Sequence, residues 1–277
     1  MFLWQFELSA GNLCCMEYDI CKIERGGGPV VAAAIHDGHF VSPQAVSTIA
    51  ISEDERLREE DPYTGIFARI CRNRIIANYS RFEVDLNRPR EKAVYIKPED
   101  AWGLKVWKDD VNQDIISSSL EKYDLFYRRA HKFFKEIEAG YGRFVVLDIH
   151  SYCHRRDGSG VDPAPQRDNP DINLGTGNMN RALWSNIIER FIRDASSQRA
   201  GGRPLDVREN IRFKGGYFSK WIHETFPQTG CCLAIEIKKI FMDEWSGQLY
   251  PEIFEDIKNA LHITSRGICR ELSVSKE

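Results

Sequence analysis

Residues 144–156 read Phe-Val-Val-Leu-Asp-Ile-His-Ser-Tyr-Cys-His-Arg-Arg. An apolar, β-branched run breaks off at Asp148 and His150, and polar residues follow at once. A short continuous apolar run with such flanks suits a strand buried on both faces, as in a parallel sheet. Ligands of open α/β sheets sit beyond the carboxyl ends of the strands, so an imidazole there stands within reach of a metal or a substrate.

The same pattern recurs outward from this stretch. Pro29–Ile35 is an apolar run that ends in His36-Asp37-Gly38-His39, and Cys231–Ile237 is a third run, with Glu236 inside it and Lys238 and Lys239 just beyond. Residues 74–78 (Arg-Ile-Ile-Ala-Asn) form a candidate short strand. Between the strands, Leu120, Tyr123, Tyr127, Ala130, Phe134 and Ile137 recur at steps of three and four, which predicts an amphipathic helix closed by Gly140. Leu183, Ile187 and Phe191 predict a second helix after a loop over 157–180, and residues 249–272 a closing one. Pro62 directly after Asp61 predicts a helix capped by Asp61 that turns Ile66, Phe67 and Ile70 to one side. Strand and helix alternate throughout. The expected fold is a single α/β domain, with a mainly parallel or mixed central sheet and helices on both faces. Residues 1–28 read as an N-terminal extension and 29–277 as the folded domain.

Composition narrows the partners. With 277 residues, 42% hydrophobic and 11% aromatic, the chain is an ordinary folded protein. A net charge of −3 gives no overall basic field, which argues against nucleic acid as the main partner. No apolar run approaches the roughly 20 residues of a membrane helix, and the first residues lack the basic start and apolar core of a signal peptide. The eight cysteines show no Cys-x-x-Cys spacing. With no export signal, reduced thiols in the cytoplasm are the expectation.

Chemistry concentrates at the strand ends. His36 and His150 each follow an apolar strand, and a carboxylate within a buried run, as at Glu236, is costly unless it is paired or functional. The bland alternatives are hydrogen-bonded neutral histidines and a core glutamate paired with Arg81 or Arg88. Two histidines at the ends of separate strands, with a carboxylate inside a third, favour a site.

Five motifs then occur in order: His36-Asp37-Gly38; Ser80–Arg88 as Ser-Arg-x-x-x-Asp-x-Asn-Arg; Asp148-Ile149-His150-Ser151; Lys214-Gly215-Gly216-Tyr217; and Glu236. Together they resemble the N-formylglutamate amidohydrolase family, a branch of the zinc carboxypeptidase-like superfamily, over about residues 31–245. The resemblance implies a zinc-dependent amidohydrolase that opens the amide of a small carboxylate-bearing N-acyl amino acid. It implies one Zn²⁺ per chain held by His36, His150 and an acidic residue from Glu60-Asp61, although N/O sites of this kind also accept other divalent ions. Asp61 is the preferred acid, Glu60 its close rival, and His39 a weaker candidate, because carboxypeptidases take a glutamate from the place that His39 occupies.

Two imidazoles and one carboxylate leave a coordination position open for water, as in catalytic zinc sites. Glu236 is the expected general base and Arg81 an oxyanion partner. Asn87 and Arg88 offer a fork for the substrate carboxylate, and Lys214 and Gly215 a pocket rim. Asp148 either orients an imidazole or serves as a cap or salt-bridge partner. The alternatives in function are a metallo-carboxypeptidase acting on small peptides and a non-catalytic metal- or ligand-binding relative.

Overall fold

A computed structural model describes residues 18–274. In chain order the elements are β1 (Cys21–Glu24), β2 (Val30–Ala34), α1 (Pro43–Val46), α2 (Glu53–Glu59), α3 (Thr64–Phe67), β3 (Asn73–Ala77), α4 (Gln113–Tyr141) and β4 (Phe144–Tyr152). There follow β5 (Ile172–Gly175), α5 (Ser185–Ser196), the small hairpin β6 (Arg199–Ala200) and β7 (Arg203–Pro204), β8 (Val207–Glu209), α6 (Tyr217–Thr225), β9 (Gly230–Lys238) and α7 (Pro251–Val274).

Seven strands form one mixed sheet in the order β1-β3-β2-β4-β9-β5-β8. Its centre, β3-β2-β4-β9, is parallel. β1 joins one side antiparallel to β3, and β5 joins the other antiparallel to β9. The expected single α/β domain with a mixed sheet is what the chain forms.

Both faces of the sheet are covered, and strand alternation divides the core. Ala32, Ala34, Leu147, Ile149, Leu233 and Ile235 face one way, under Phe191 of α5 and Ile257 of α7. Val31, Ala33, Val146 and Cys232 face the other way, against Phe126 and Phe134 of α4 and Phe218 of α6. Period-two geometry therefore puts Asp148, His150 and Glu236 on the α4/α6 face. A third apolar cluster, built on Phe82, Tyr95, Val106 and Trp107, closes the excursion between β3 and α4.

Several boundaries differ from expectation. Part of the expected extension, Cys21–Glu24, is an edge strand of the sheet. α4 runs through Gly140 and ends at Gly142, whose φ of 77° supplies the left-handed turn that a side chain would resist. The expected loop over 157–180 contains β5, a run of four residues too short to show a period. Asp61 caps no helix: the charged run 53–59 is itself α2, capped by Ser52, and the next helix begins two residues late at Thr64. Ser52 won because Glu55 completes a capping box with it.

Candidate metal centre and active-site cavity

His36 follows β2 and His150 lies near the end of β4, so the parallel pairing of the two strands brings the rings together at one sheet edge. Their centroids are 4.9 Å apart. Each ring is backed by a carboxylate. His36 Nε2 lies 2.7 Å from Asp85 Oδ1 and His150 Nε2 lies 3.0 Å from Asp148 Oδ1. Both Nδ1 atoms face Asp61 Oδ2, at 3.5 Å from His36 and at 3.0 Å, a hydrogen bond, from His150. His36 Nδ1 is buried with no hydrogen-bond partner. A cation beside Asp61 would give this orphaned nitrogen a partner. One ligand atom from each of His36, Asp61 and His150 falls within 4.8 Å of the others. This donor set fits a divalent ion.

The electrostatics agree. Burial alone raises Asp61, yet the two imidazoles hold its carboxyl well below the usual carboxylate range. Burial alone lowers His150, but Asp148, Asp61 and Glu236 raise it well above an ordinary imidazole. Asp85 is likewise held far down against its burial, by Arg81 and His36. The cluster is short of positive charge.

The rivals of Asp61 are turned elsewhere. Glu60 Oε2 accepts from His39 Nδ1 at 2.7 Å, and its other oxygen takes the Ser80 hydroxyl. Glu60 and His39 thus satisfy one another, and neither joins the imidazole pair. Asp61 reaches it because its own N–H donates to His36 O at 3.0 Å, which pins the turn against the end of β2.

Glu236 is the register partner of His150 on the neighbouring strand. Its carboxylate has no ion-pair partner among the described residues, and it lines a cavity of about 740 Å³ that also reaches His36, Asp61 and His150. Burial raises it to about 7, with Asp61 and Asp148 adding to the shift against the imidazoles. The expected alternative of a pair with Arg81 does not form. Arg81 instead donates from Nη2 to Asp85 Oδ2 at 2.9 Å and lies 4.9 Å under the Trp102 ring.

Arg88 stands on the cavity wall, its side chain 37% exposed and its Nε 3.7 Å from Asp85 Oδ2. Asn87 is partly committed: its Oδ1 accepts from Phe218 N at 3.0 Å and so caps the first turn of α6. Lys214 and Gly215 are on the opposite rim. There Gly177 N donates to Lys214 O at 2.7 Å, and Gly215 takes a φ of 112°.

The residue that sequence reasoning passed over is Asp85, which holds both His36 and Arg81. It lies inside the quoted Ser80–Arg88 motif, but its partner is 49 residues away. Asn178 was also missed. Its Nδ2 donates to Gly216 O at 3.0 Å and Ser219 Oγ at 2.9 Å, bracing the rim.

A family model for N-formylglutamate amidohydrolase matches residues 28–242. The chain belongs to the N-formylglutamate amidohydrolase family. Membership makes it an amidohydrolase by lineage, and the cluster of His36, Asp61 and His150 lies within the matched residues. Among solved structures, an N-formylglutamate amidohydrolase from Ralstonia eutropha JMP134 aligns with a TM-score of 0.71 at 15% identity, over 93% of this chain and 100% of that one. A gene product of Agrobacterium tumefaciens aligns with a TM-score of 0.66 at 20% identity, over 94% and 97% of the two chains. At these identities the likenesses speak to the family's fold. No curated protein matches the chain. No helix among the described residues is long and apolar enough to cross a membrane.

Proposed function

We propose that this amidohydrolase cleaves the amide of a small N-acyl amino acid bearing a free carboxylate, with N-formylglutamate as the reference substrate. In this reading one divalent cation, zinc by donor type, is held by His36, Asp61 and His150. The observation that carries it is the pair of carboxylate-backed imidazoles with both Nδ1 atoms turned on Asp61. Backing carboxylates of this kind fix the ring orientation and strengthen a metal-ligating nitrogen. When bound there, the ion polarises the acyl carbonyl and acidifies water.

The chain's own residues do the rest. Glu236 receives the proton of the attacking water and delivers it to the leaving amide nitrogen. A carboxyl raised to about 7 is suited to both halves of that task, and a bound cation pulls it lower. Arg81, held by Asp85, meets the developing oxyanion. Arg88 takes the substrate carboxylate with its planar fork. Asn87 anchors the neighbouring wall through α6, and Lys214 and Gly215 border the acyl amino acid on the far side. The six free cysteines among the described residues accord with a reducing, cytoplasmic setting.

A second reading, a carboxypeptidase acting on small peptides, is favoured by one feature: a cavity of about 740 Å³ has room for a dipeptide. Assaying N-formyl and N-acetyl amino acids beside dipeptides separates the two. We expect the purified chain to hold stoichiometric divalent metal and to prefer N-acyl amino acids. Glu236→Gln should keep the metal and lower kcat by about 10²- to 10⁴-fold. Protein without stoichiometric metal, whose stability chelators leave unchanged, would sink the metal mechanism. Full turnover by Glu236→Gln would remove the base assignment alone.

A further inference from the structure

Lys239 sits just past β9, three residues after Glu236, and is 1% exposed. Its ammonium has no carboxylate partner among the described residues. It donates instead to two main-chain carbonyls, Arg58 O at 2.6 Å and Glu60 O at 2.8 Å. Both belong to the end of α2, where the helix dipole is negative and carbonyls lack partners within the helix.

The second bond matters most. The peptide group between Glu60 and Asp61 has its C=O held by Lys239 Nζ and its N–H held by His36 O at 3.0 Å. With both polar groups fixed, that peptide plane cannot rotate, and the direction in which Asp61 leaves the backbone is set. The lysine's own N–H donates to Tyr152 O at 3.0 Å, two residues beyond His150. One side chain therefore joins the ends of β4 and β9 to the turn that carries Asp61. Cys153 Sγ also donates to Arg58 O, at 3.1 Å, but does not touch the Glu60 carbonyl.

We propose that Lys239 is a positioning residue that clamps the Glu60–Asp61 peptide so that the Asp61 carboxylate meets the two imidazoles, and that it thereby sets the affinity of the site for its metal. The proposal rests on the metal reading above. Without the ammonium, the Glu60 carbonyl turns to find another donor and carries the Asp61 side chain with it.

The test uses the full chain, with Zn²⁺ affinity measured by competition against a chromophoric chelator and site geometry by the absorption of Co²⁺. Lys239→Met keeps the length and loses the donors. It should bind Zn²⁺ about 10- to 100-fold more weakly, the range found when groups that orient metal ligands are removed. It should also shift the Co²⁺ bands while the metal-free protein keeps a native near-UV circular dichroism spectrum. Cys153→Ala should stay within about twofold of wild type, and Lys239→Arg should recover part of the loss. Lys239→Met with wild-type affinity and unshifted bands overturns the proposal. If Lys239→Met does not fold, Lys239→Gln is held to the same criteria. Failure of both to fold also overturns it, since a positioning role leaves the core intact. A wild-type chain that binds neither ion defeats the metal reading itself, which is a different result from a variant that binds as well as wild type.

Discussion

Arg88 illustrates what single side chains carry here. Its neighbour Asp85 is already neutralised at 2.9 Å by Arg81 and at 2.7 Å by His36. The Arg88 contact with Asp85, at 3.7 Å, is the longest of the three, and the Arg88 side chain stays 37% exposed. On the proposed reading, in which Arg88 supplies ground-state binding, Arg88→Ala should raise KM for a carboxylate-bearing substrate by about 10- to 100-fold with a smaller change in kcat. Arg88→Lys should fall between, a point charge replacing a fork. Steady-state kinetics on N-formylglutamate measure the split, and an unchanged KM in Arg88→Ala would remove this residue from recognition. At this scale His36, His150 and Glu236 were legible, since each interrupts or ends an apolar run. Asp61 was legible only as one of three candidates. Charge and spacing could not reveal that Glu60 and His39 neutralise each other at 2.7 Å.

At the scale of elements, the rim at residues 214–216 is held by close backbone approach. A Cβ on Gly216 would lie 2.2 Å from Asn87 Oδ1, within the contact that caps α6. Gly216→Ala should thus cost about 1–3 kcal/mol, from overpacking and a disturbed cap together. Urea unfolding reads the loss, and stability equal to wild type would mean that the α6 cap tolerates displacement. The long helices were readable because α4 and α7 repeat their apolar face over many turns. β5, four residues long, carries too little pattern, and tertiary pairing decides it. Asp61 shows the cost of reading caps locally. An Asp-Pro step does favour a helix start, but here His150 and His36 offered its carboxylate stronger partners than the N–H groups of a helix.

Stability of the whole molecule should depend on pH through groups outside the cluster of His36, Asp61 and His150. His223, on α6, donates from Nδ1 to Asn178 Oδ1 at 3.1 Å and accepts from Cys232 N at 2.9 Å. It is thereby held neutral, and burial depresses it from 6.5 to about 4. The unfolded chain binds a proton at this group below pH ~6.5 that the folded chain refuses until pH ~4. Stability is therefore fully present above the upper value and lost as pH falls between the two, by on the order of 3 kcal/mol. Asp171, paired with Arg203 at 2.6 Å, is held down to about 2 and extends the loss to lower pH. Urea midpoints from pH 7 to 4.5 should fall for wild type and flatten for His223→Gln. Equal slopes in the two proteins would show that His223 does not drive the acid limb.

The amino-acid order alone determined that this is an α/β chain with parallel central strands, and it named two histidines at strand ends and a glutamate within a strand. Those conclusions rest on hydrophobic periodicity, a local property that survives without knowledge of neighbours. The family's five ordered motifs were legible for the same reason, each being a contiguous stretch. Only the tertiary structure decided which acid meets the imidazoles, that Asp85 and Asp148 stand behind them, and that Lys239 holds the intervening turn. These are contacts between segments tens of residues apart, such as the 179 residues between Lys239 and Glu60. Their partners are chosen by sheet register and by the need to satisfy buried charge, neither of which is written in any single stretch.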